Sequence, residues 1–268
     1  MVWTREKSPF IFVSMALGLL MVLFLVIPLI GSLGSSLPGL PNVLTDARTL
    51  NAIFTSFYCA LLTTALVFVL GVPFAYLFSK YDFFGKRFID SIIDLPILIP
   101  HNAAGLALLS VLSPASPIGG FFRLLGIEFI DTAFGIVAAM AFVSAPFLIR
   151  SSQEAFDSVG AVMEKTAQSL GASRFQVFRH VSFPLALKGI LTGCLLTWAR
   201  AVSEFGAVVV LAYFPKTAPV YLYDVFEGLG GGGGLKSALP ISSLLIILAI
   251  AILFGFKLVT SKTTKLVR

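Results

Sequence analysis

The sequence predicts an all-α, polytopic membrane protein with six transmembrane helices. Three observations lead to that class. Hydrophobic residues make up 57% of the chain and charged residues only 12%, with a mean hydropathy of +0.98, whereas soluble domains carry about a quarter charged residues. Six apolar runs approach the roughly 20 residues that cross about 30 Å of hydrocarbon at 1.5 Å per residue. They cover residues 9–31, 52–79, 91–112, 132–149, 187–213 and 240–256. Threading the chain through them puts fourteen of its nineteen basic residues on one face, from Arg5 and Lys7 through Lys80, Arg150 and Lys188 to Arg268. By the positive-inside rule that face is cytoplasmic and carries both termini. The net charge of +6 is therefore an orientation signal, helped by anionic lipid, and needs no nucleic acid to explain it.

The first run follows the basic lead of a signal peptide, but it is longer than a signal core and lacks a small-x-small cleavage site, which predicts a retained helix. The second and fourth runs contain Pro73 and Pro146, where bends are expected. The third contains Pro96, Pro100, His101 and Asn102; its prolines release backbone partners and make it a candidate bend or gate. His101 reads better as a packed histidine beside a kink than as an anion sensor. Cys59 and Cys194 fall inside runs and are expected to be small packed residues, not a disulfide or metal pair. The Gly- and Pro-rich connections 32–51, 113–131 and 214–239 are poor in basic charge and belong outside. The glycines between Gly228 and Leu235, followed by Lys236 and Ser237, suggest a phosphate loop only superficially. Leu235 interrupts the spacing, the flanks are not strand and helix, and the loop lies away from cytoplasmic nucleotide. No connection is long enough for a soluble module, so residues 1–268 are expected to form one membrane domain without catalytic machinery.

The connection after the fourth run, about residues 151–186, is polar and basic. Its segment from Glu164 to Pro184 cannot lie in hydrocarbon without a cost of several kcal/mol. Val162, Met163, Thr166, Ala167 and Leu170 recur at helical spacing, with Glu164, Lys165 and Gln168 on the other face. Gly171 ends that helix. Ala172 and Ser173 open a second one, with Arg174 and Arg179 opposite Phe175, Phe178 and Val181, and Phe183-Pro184 is expected to break it before the fifth run. Two short helices joined at a glycine predict a compact cytoplasmic knob. The alternative is an amphipathic connector lying flat on the membrane.

In the fifth run Arg200 and Glu204 stand one turn apart, on one face, about 18 Å along a helix that starts near Lys188. At that depth they are expected to pair and face the bundle or a wet cavity, with Ser203 beside them. An internal ion pair is the favoured reading, because a tightly binding anion path would trap its cargo. The other reading places Arg200 on an anion path, with Glu204 limiting its pull.

The loop resembles the "EAA" signature of ABC importer permeases. Ala167, Gly171, Val181 and Phe183-Pro184 fall at its spacing, Thr166 replaces its first alanine, and Glu164 lies one residue ahead of its glutamate position, which Lys165 holds. The run Ala199-Arg200-Ala201-Val202-Ser203-Glu204-Phe205-Gly206-Ala207 is similar to permeases for tetrahedral oxyanions: molybdate, tungstate and sulfate. Phe214-Pro215-Lys216-Thr217-Ala218-Pro219 looks most like the archaeal tungstate and molybdate branch. The resemblance implies that Glu164, Lys165, Thr166, Ala167, Leu170, Gly171, Ala172, Arg174 and Pro184 belong to coupling helices. It also implies partners: two cytoplasmic ATPase subunits holding ATP and magnesium, a second copy of the chain and an external oxyanion-binding protein, with no cofactor in this chain. Sulfate transport, secondary transport and a non-transport scaffold or enzyme are the rivals. The second predicts an internal repeat, which the sequence does not display.

Overall fold

The computed structural model describes residues 9–229 and 233–265, and the side chains of 256–265 lie outside that description. Outside it too fall Arg5, Lys7, Arg268 and the side chains of Lys257, Lys262 and Lys265 from the orientation signal, and the centre of the glycine run. The described residues are helical with short connections and contain no strand. In chain order the helices are α1 (Pro9–Ser36), α2 (Leu40–Thr45), α3 (Ala47–Lys80), α4 (Lys86–Leu98), α5 (His101–Leu112), α6 (Pro117–Leu124) and α7 (Ala133–Asp157). After these come α8 (Ala161–Ser169), α9 (Arg174–Val177), α10 (Phe183–Val202), α11 (Gly206–Leu211), α12 (Ala218–Glu227) and α13 (Leu235–Lys265).

Five of the described helical stretches are long and apolar enough to span a bilayer: Pro9–Thr45, Ala47–Lys80, Ala133–Asp157, Arg174–Val202 and Leu235–Gly255. The pair α4–α5, bent by 115° at its break, passes the same test only when its two helices are taken together, as a broken span or a re-entrant loop. This is a multi-pass membrane protein. The bend falls at Ile99–Pro100, where both residues are extended and Pro100 caps α5. Of the bend candidates, Pro100 sits at the break and His101 and Asn102 open the next helix. Pro96 stays within α4, as Pro73 and Pro146 stay within α3 and α7.

Two expectations are corrected. The fifth run is not one helix: α10 ends at Val202 and α11 begins at Gly206. Its helix also starts earlier than Lys188. Phe183-Pro184 does not break it, because residues Phe178–Ser182 form a π-turn that carries α9 directly into α10. Pro184 sits in the first turn of α10. A proline inside a helix lacks the N–H that would bond to the carbonyl four residues back, and a widened turn just before it absorbs that loss.

The helices group into two compact units. In the first, residues up to Leu50 join those from Leu222 onward. There α1 packs on α13, Ser32 Oγ and Ser243 Oγ lie 3.1 Å apart, and a Cβ on Gly39 would meet Pro240 Cγ at 2.5 Å. The second unit, Asn51–Tyr221, holds both buried clusters. One is built around Ile136, Met140, Ala201 and Val208, the other around Val72, Leu148, Phe156 and Ile190. Cys59 is buried in the first, Cys194 packs at the edge of the second, and both are free thiols.

Helices α7 and α10 pack closely in this unit, and two glycines four residues apart permit it. A Cβ on Gly189 would stand 2.5 Å from Ala155 Cβ, and one on Gly193 would stand 2.9 Å from Leu148 Cδ1 and from Ser151 Cβ. Small residues at that spacing let backbones approach where no hydrophobic effect separates helix from lipid. Two polar contacts follow from the approach: Ser151 Oγ donates to Gly189 O at 2.9 Å and Thr197 Oγ1 to Ser144 O at 3.2 Å. Gly193→Leu should therefore overpack this seam and cost about 1–3 kcal/mol. A lowered unfolding temperature of the purified chain in detergent checks it, and an unchanged temperature refutes the seam.

Candidate functional site

Two constellations gather the candidate residues. The first stands at the end of the bundle where α3 and α7 finish. Its helix α8 stops in a Schellman turn: Gly171 N donates to Gln168 O at 2.9 Å and Ala172 N to Ala167 O at 3.1 Å. That pattern needs a left-handed residue after the last helical one, and Gly171 supplies it with φ +89°. Ser173 then caps α9 in a reciprocal box, its Oγ accepting from Gln176 N at 3.3 Å while Gln176 Oε1 accepts from Ser173 N at 2.7 Å. The Ser-x-x-Gln spacing was a sequence signal for this start. Phe178, in the π-turn, anchors the segment against Tyr76, Phe156 and Phe183 with ring centroids 4.8, 6.1 and 5.8 Å away.

The exposed surface of α8 carries residues of both its apolar stripe and its polar face. Val162, Met163 and Leu170 point outward, Val162 and Leu170 being 77% and 84% exposed, together with Lys165 and Thr166. Glu164 turns inward: its side chain is 12% exposed, lies 3.2 Å from Lys80 Nζ and accepts from Ser182 Oγ at 2.6 Å. The helical pattern holds, and within it Glu164 turns inward because Lys80 lies beneath it. A groove of about 390 Å³ runs past Ala167, Leu170, Ala172, Gln176, His180 and Val181. Arg174 is exposed and stacks 5.9 Å from the Tyr81 ring. Pro184 is exposed at the start of α10.

The second constellation lies where the two helix breaks meet. Arg200 is in the last turn of α10, where a cation complements the helix dipole, and because α10 starts at Phe183 it lies further along the helix than a start near Lys188 implies. Its Nη2 lies 2.7 Å from Glu204 Oε2 and 2.9 Å from His101 Nε2. Glu204 is 1% exposed, whereas Arg200 is 22% exposed. The other carboxylate oxygen, Oε1, accepts from Ala207 N at 2.8 Å and so serves the first turn of α11. His101 Nδ1 stands 3.5 Å from Glu204 Oε2. Ser203 is exposed, with its Oγ 3.4 Å from Arg200 Nη1. Glycines again permit the meeting: a Cβ on Gly206 would strike His101 Cβ and Asn102 Oδ1 at 2.6 Å, and one on Gly105 would stand 2.9 Å from Ala207 O. The third and fifth runs thus contribute to one cluster of His101, Asn102, Arg200, Ser203 and Glu204, a juxtaposition that spacing within either run does not contain.

A third polar cluster was not anticipated. Arg150 donates from Nε and Nη2 to the two oxygens of Asp94, at 2.8 and 2.7 Å, and from Nη1 to Asp90 and Gln153, clamping α4 to α7. Asp90 and Asp94, four residues apart in α4, were its sequence signal. Among the described residues no group of histidine, cysteine and acidic side chains could hold a metal ion.

Comparison with known proteins places this arrangement. The family model described as "binding-protein-dependent transport system inner membrane component" matches residues 67–263. A protein of Thermococcus kodakarensis named molybdate/tungstate transport system permease protein WtpB is 34% identical over 251 residues, covering 92% of this chain and 94% of that one. The probable sulfate transport system permease protein cysT of Chlorokybus atmophyticus is 36% identical over 215 residues, covering 77% and 74%. Among solved structures, a chain of a bacterial alginate ABC transporter, in complex with an alginate pentasaccharide-bound periplasmic protein, superposes with a TM-score of 0.72. It covers 94% of this chain and 93% of its own at 16% identity, a likeness of fold.

The Arg200 cluster makes a graded prediction. Glu204→Ala removes the ion pair and the contact to Ala207 together, so it should destabilise the chain by about 3–5 kcal/mol, the range for breaking a buried pair. Arg200→Ala leaves His101 beside the carboxylate and should cost less. In a double-mutant cycle read by thermal unfolding, the two effects should fall short of additivity; strictly additive losses would show that the pair is not energetically coupled.

Proposed function

This chain belongs to the family of binding-protein-dependent transport system inner membrane components, and from that premise we propose that it is the membrane-spanning subunit of an ABC importer for molybdate or tungstate. The single observation that carries the substrate class is the alignment, over nearly the whole of both chains, with a relative named for those two anions. The subunit is a single membrane domain that does no catalysis of its own: ATP and magnesium are held by two separate cytoplasmic ATPase subunits. Two copies of the chain line one path across the cell membrane, with their termini in the cytoplasm, and an external oxyanion-binding protein delivers cargo to the outer connections.

In this reading α8, the Gly171 turn and the start of the following helix are the coupling segment, comprising Glu164, Lys165, Thr166, Ala167, Leu170, Gly171, Ala172, Arg174 and Pro184. The exposed Val162, Met163, Leu170 and Phe175 offer the ATPase apolar anchors, and Lys165, Arg174 and Arg179 surround them with charge. Nucleotide-driven closure of the ATPases brings the two knobs together and rocks the helices between outward- and inward-open states. Arg200 and Ser203 contact the passing anion, while Glu204 and His101 occupy Nη2 and keep the attraction weak enough for release. Pro100, His101 and Asn102 form the bend beside that point, with Pro96 one turn before it. Selection belongs mainly to the binding protein, because a path that must let go of its cargo is a poor place to discriminate.

Sulfate is the second reading, favoured by the likeness to a relative named as a sulfate permease. Proteoliposomes holding the permease, its ATPase and the binding protein should accumulate labelled molybdate or tungstate only with ATP. Sulfate in large excess should leave that uptake standing; full competition by sulfate would move the assignment to the second reading, and uptake without the ATPase would sink both. Gly171→Val puts a β-branched residue into the left-handed turn at a cost of about 1–3 kcal/mol. ATP-dependent uptake should then be lost while the ATPase still copurifies, and normal uptake would show that the turn is not part of the coupling path.

A further inference from the structure

The attachment of α8 to the rest of its unit is unusual for a helix: none of its residues is buried. Its inward contact runs instead through Glu164 to Lys80, the last residue of α3. An ammonium group has three donors, and Lys80 Nζ has three acceptors around it: Phe156 O at 2.8 Å, Val159 O at 3.3 Å and Glu164 Oε1 at 3.2 Å. The first two are carbonyls at the finishing end of α7, where a cation is favoured by the helix dipole. Glu164 Oε1 also accepts from Ser182 Oγ, which is fully buried in the π-turn leading to α10. Beside this group Ser79 donates to Asp157, joining the same two helix ends. One cation therefore ties the ends of α3 and α7 to α8 and, through the carboxylate, to the root of α10. The side chains of Lys80 and Glu164 are only 16% and 12% exposed.

We propose that Lys80 is the positioning residue through which displacement of α8 reaches the transmembrane helices. The inference rests on the reading of residues 161–184 as the ATPase-docking segment. Apolar contacts slide with little change in energy, whereas charge-assisted hydrogen bonds in a partly dry site are directional and resist a shift in register. None of the α8 residues is buried, so among the described residues the group around Lys80 is its polar link to the end of α3, while its covalent connections join it to α7 and α9. Because Lys80 Nζ donates to two carbonyls and pairs with Glu164 inside the chain, the lysine acts as a tie and not as part of the docking surface.

The test measures molybdate uptake and ATP hydrolysis in proteoliposomes holding permease, ATPase and binding protein, and takes their ratio. A group that only stabilised the fold would lower both in proportion. Lys80→Met should lower the molybdate imported per ATP about tenfold, within the range of ordinary coupling free energies. Lys80→Arg, which keeps charge and several donors, should stay within about twofold of the parent. Lys80→Met combined with Glu164→Gln should be no worse than Lys80→Met alone, since both remove one interaction. Should Lys80→Met fail to assemble, Ser182→Ala decides: it removes only the link to the π-turn and should lower the ratio about threefold, a modest loss on the same scale. An unchanged ratio in Lys80→Met, or in Ser182→Ala where the first does not assemble, overturns the tie. Leu170→Glu on the exposed face separates the two readings. If it releases the ATPase while Lys80→Met keeps the parental ratio, the docking reading stands and the tie alone is wrong; if the ATPase stays bound to Leu170→Glu, the docking surface is misplaced and the tie falls with it.

Discussion

In hydrocarbon a backbone N–H or C=O without a partner costs several kcal/mol, and that constraint governs where this chain can interrupt a helix. It does so twice within its larger unit, at Ile99–Pro100 and across Ser203–Phe205. The two interruptions meet. Glu204 Oε1 accepts from Ala207 N at the second break, and the charge this buries is met by Arg200 from the helix end just before it. His101, first residue after the other break, closes the group. A buried carboxylate thus serves as both a cap and an ion-pair partner.

Close approach makes that meeting possible. Gly105 and Gly206 bring α5 and α11 together, and Gly189 and Gly193 do the same for α10 and α7. Where lipid tails are as apolar as leucine, helices gain by backbone proximity and interhelical hydrogen bonds more than by exclusion of water. The polar links of this unit follow that logic: Thr197 to Ser144, Ser151 to Gly189 and Arg150 to Asp90 and Asp94 each join one helix to a different one. They set register, which apolar packing alone leaves loose.

Much of the candidate site could be read residue by residue, and little of it as an assembly. The Gly171 turn, the helix before it and the pairing of Arg200 with Glu204 follow from local spacing, because helical periodicity, a left-handed cap and an i,i+4 contact act within a few residues. What local spacing does not contain is Lys80 opposite Glu164, 84 positions along the chain, or His101 opposite Arg200. That Glu164 turns inward while Val162, Met163 and Leu170 stay exposed depends on Lys80 and is not contained in the stripe itself.

The sequence by itself determined that this is an α-helical membrane protein, how many apolar runs it has, that its polar loop holds two helical pieces around a glycine, and that a charged pair stands one turn apart in the fifth run. These depend on hydropathy and short-range backbone geometry, which are additive along the chain. Only the tertiary structure decided that the fifth run is two helices, that the π-turn carries α9 past Pro184 without a break, and that Lys80 and His101 complete the two polar clusters. Each of those outcomes balances a backbone group left unbonded at one position against a side chain supplied from far away, and that balance exists only once the helices have packed.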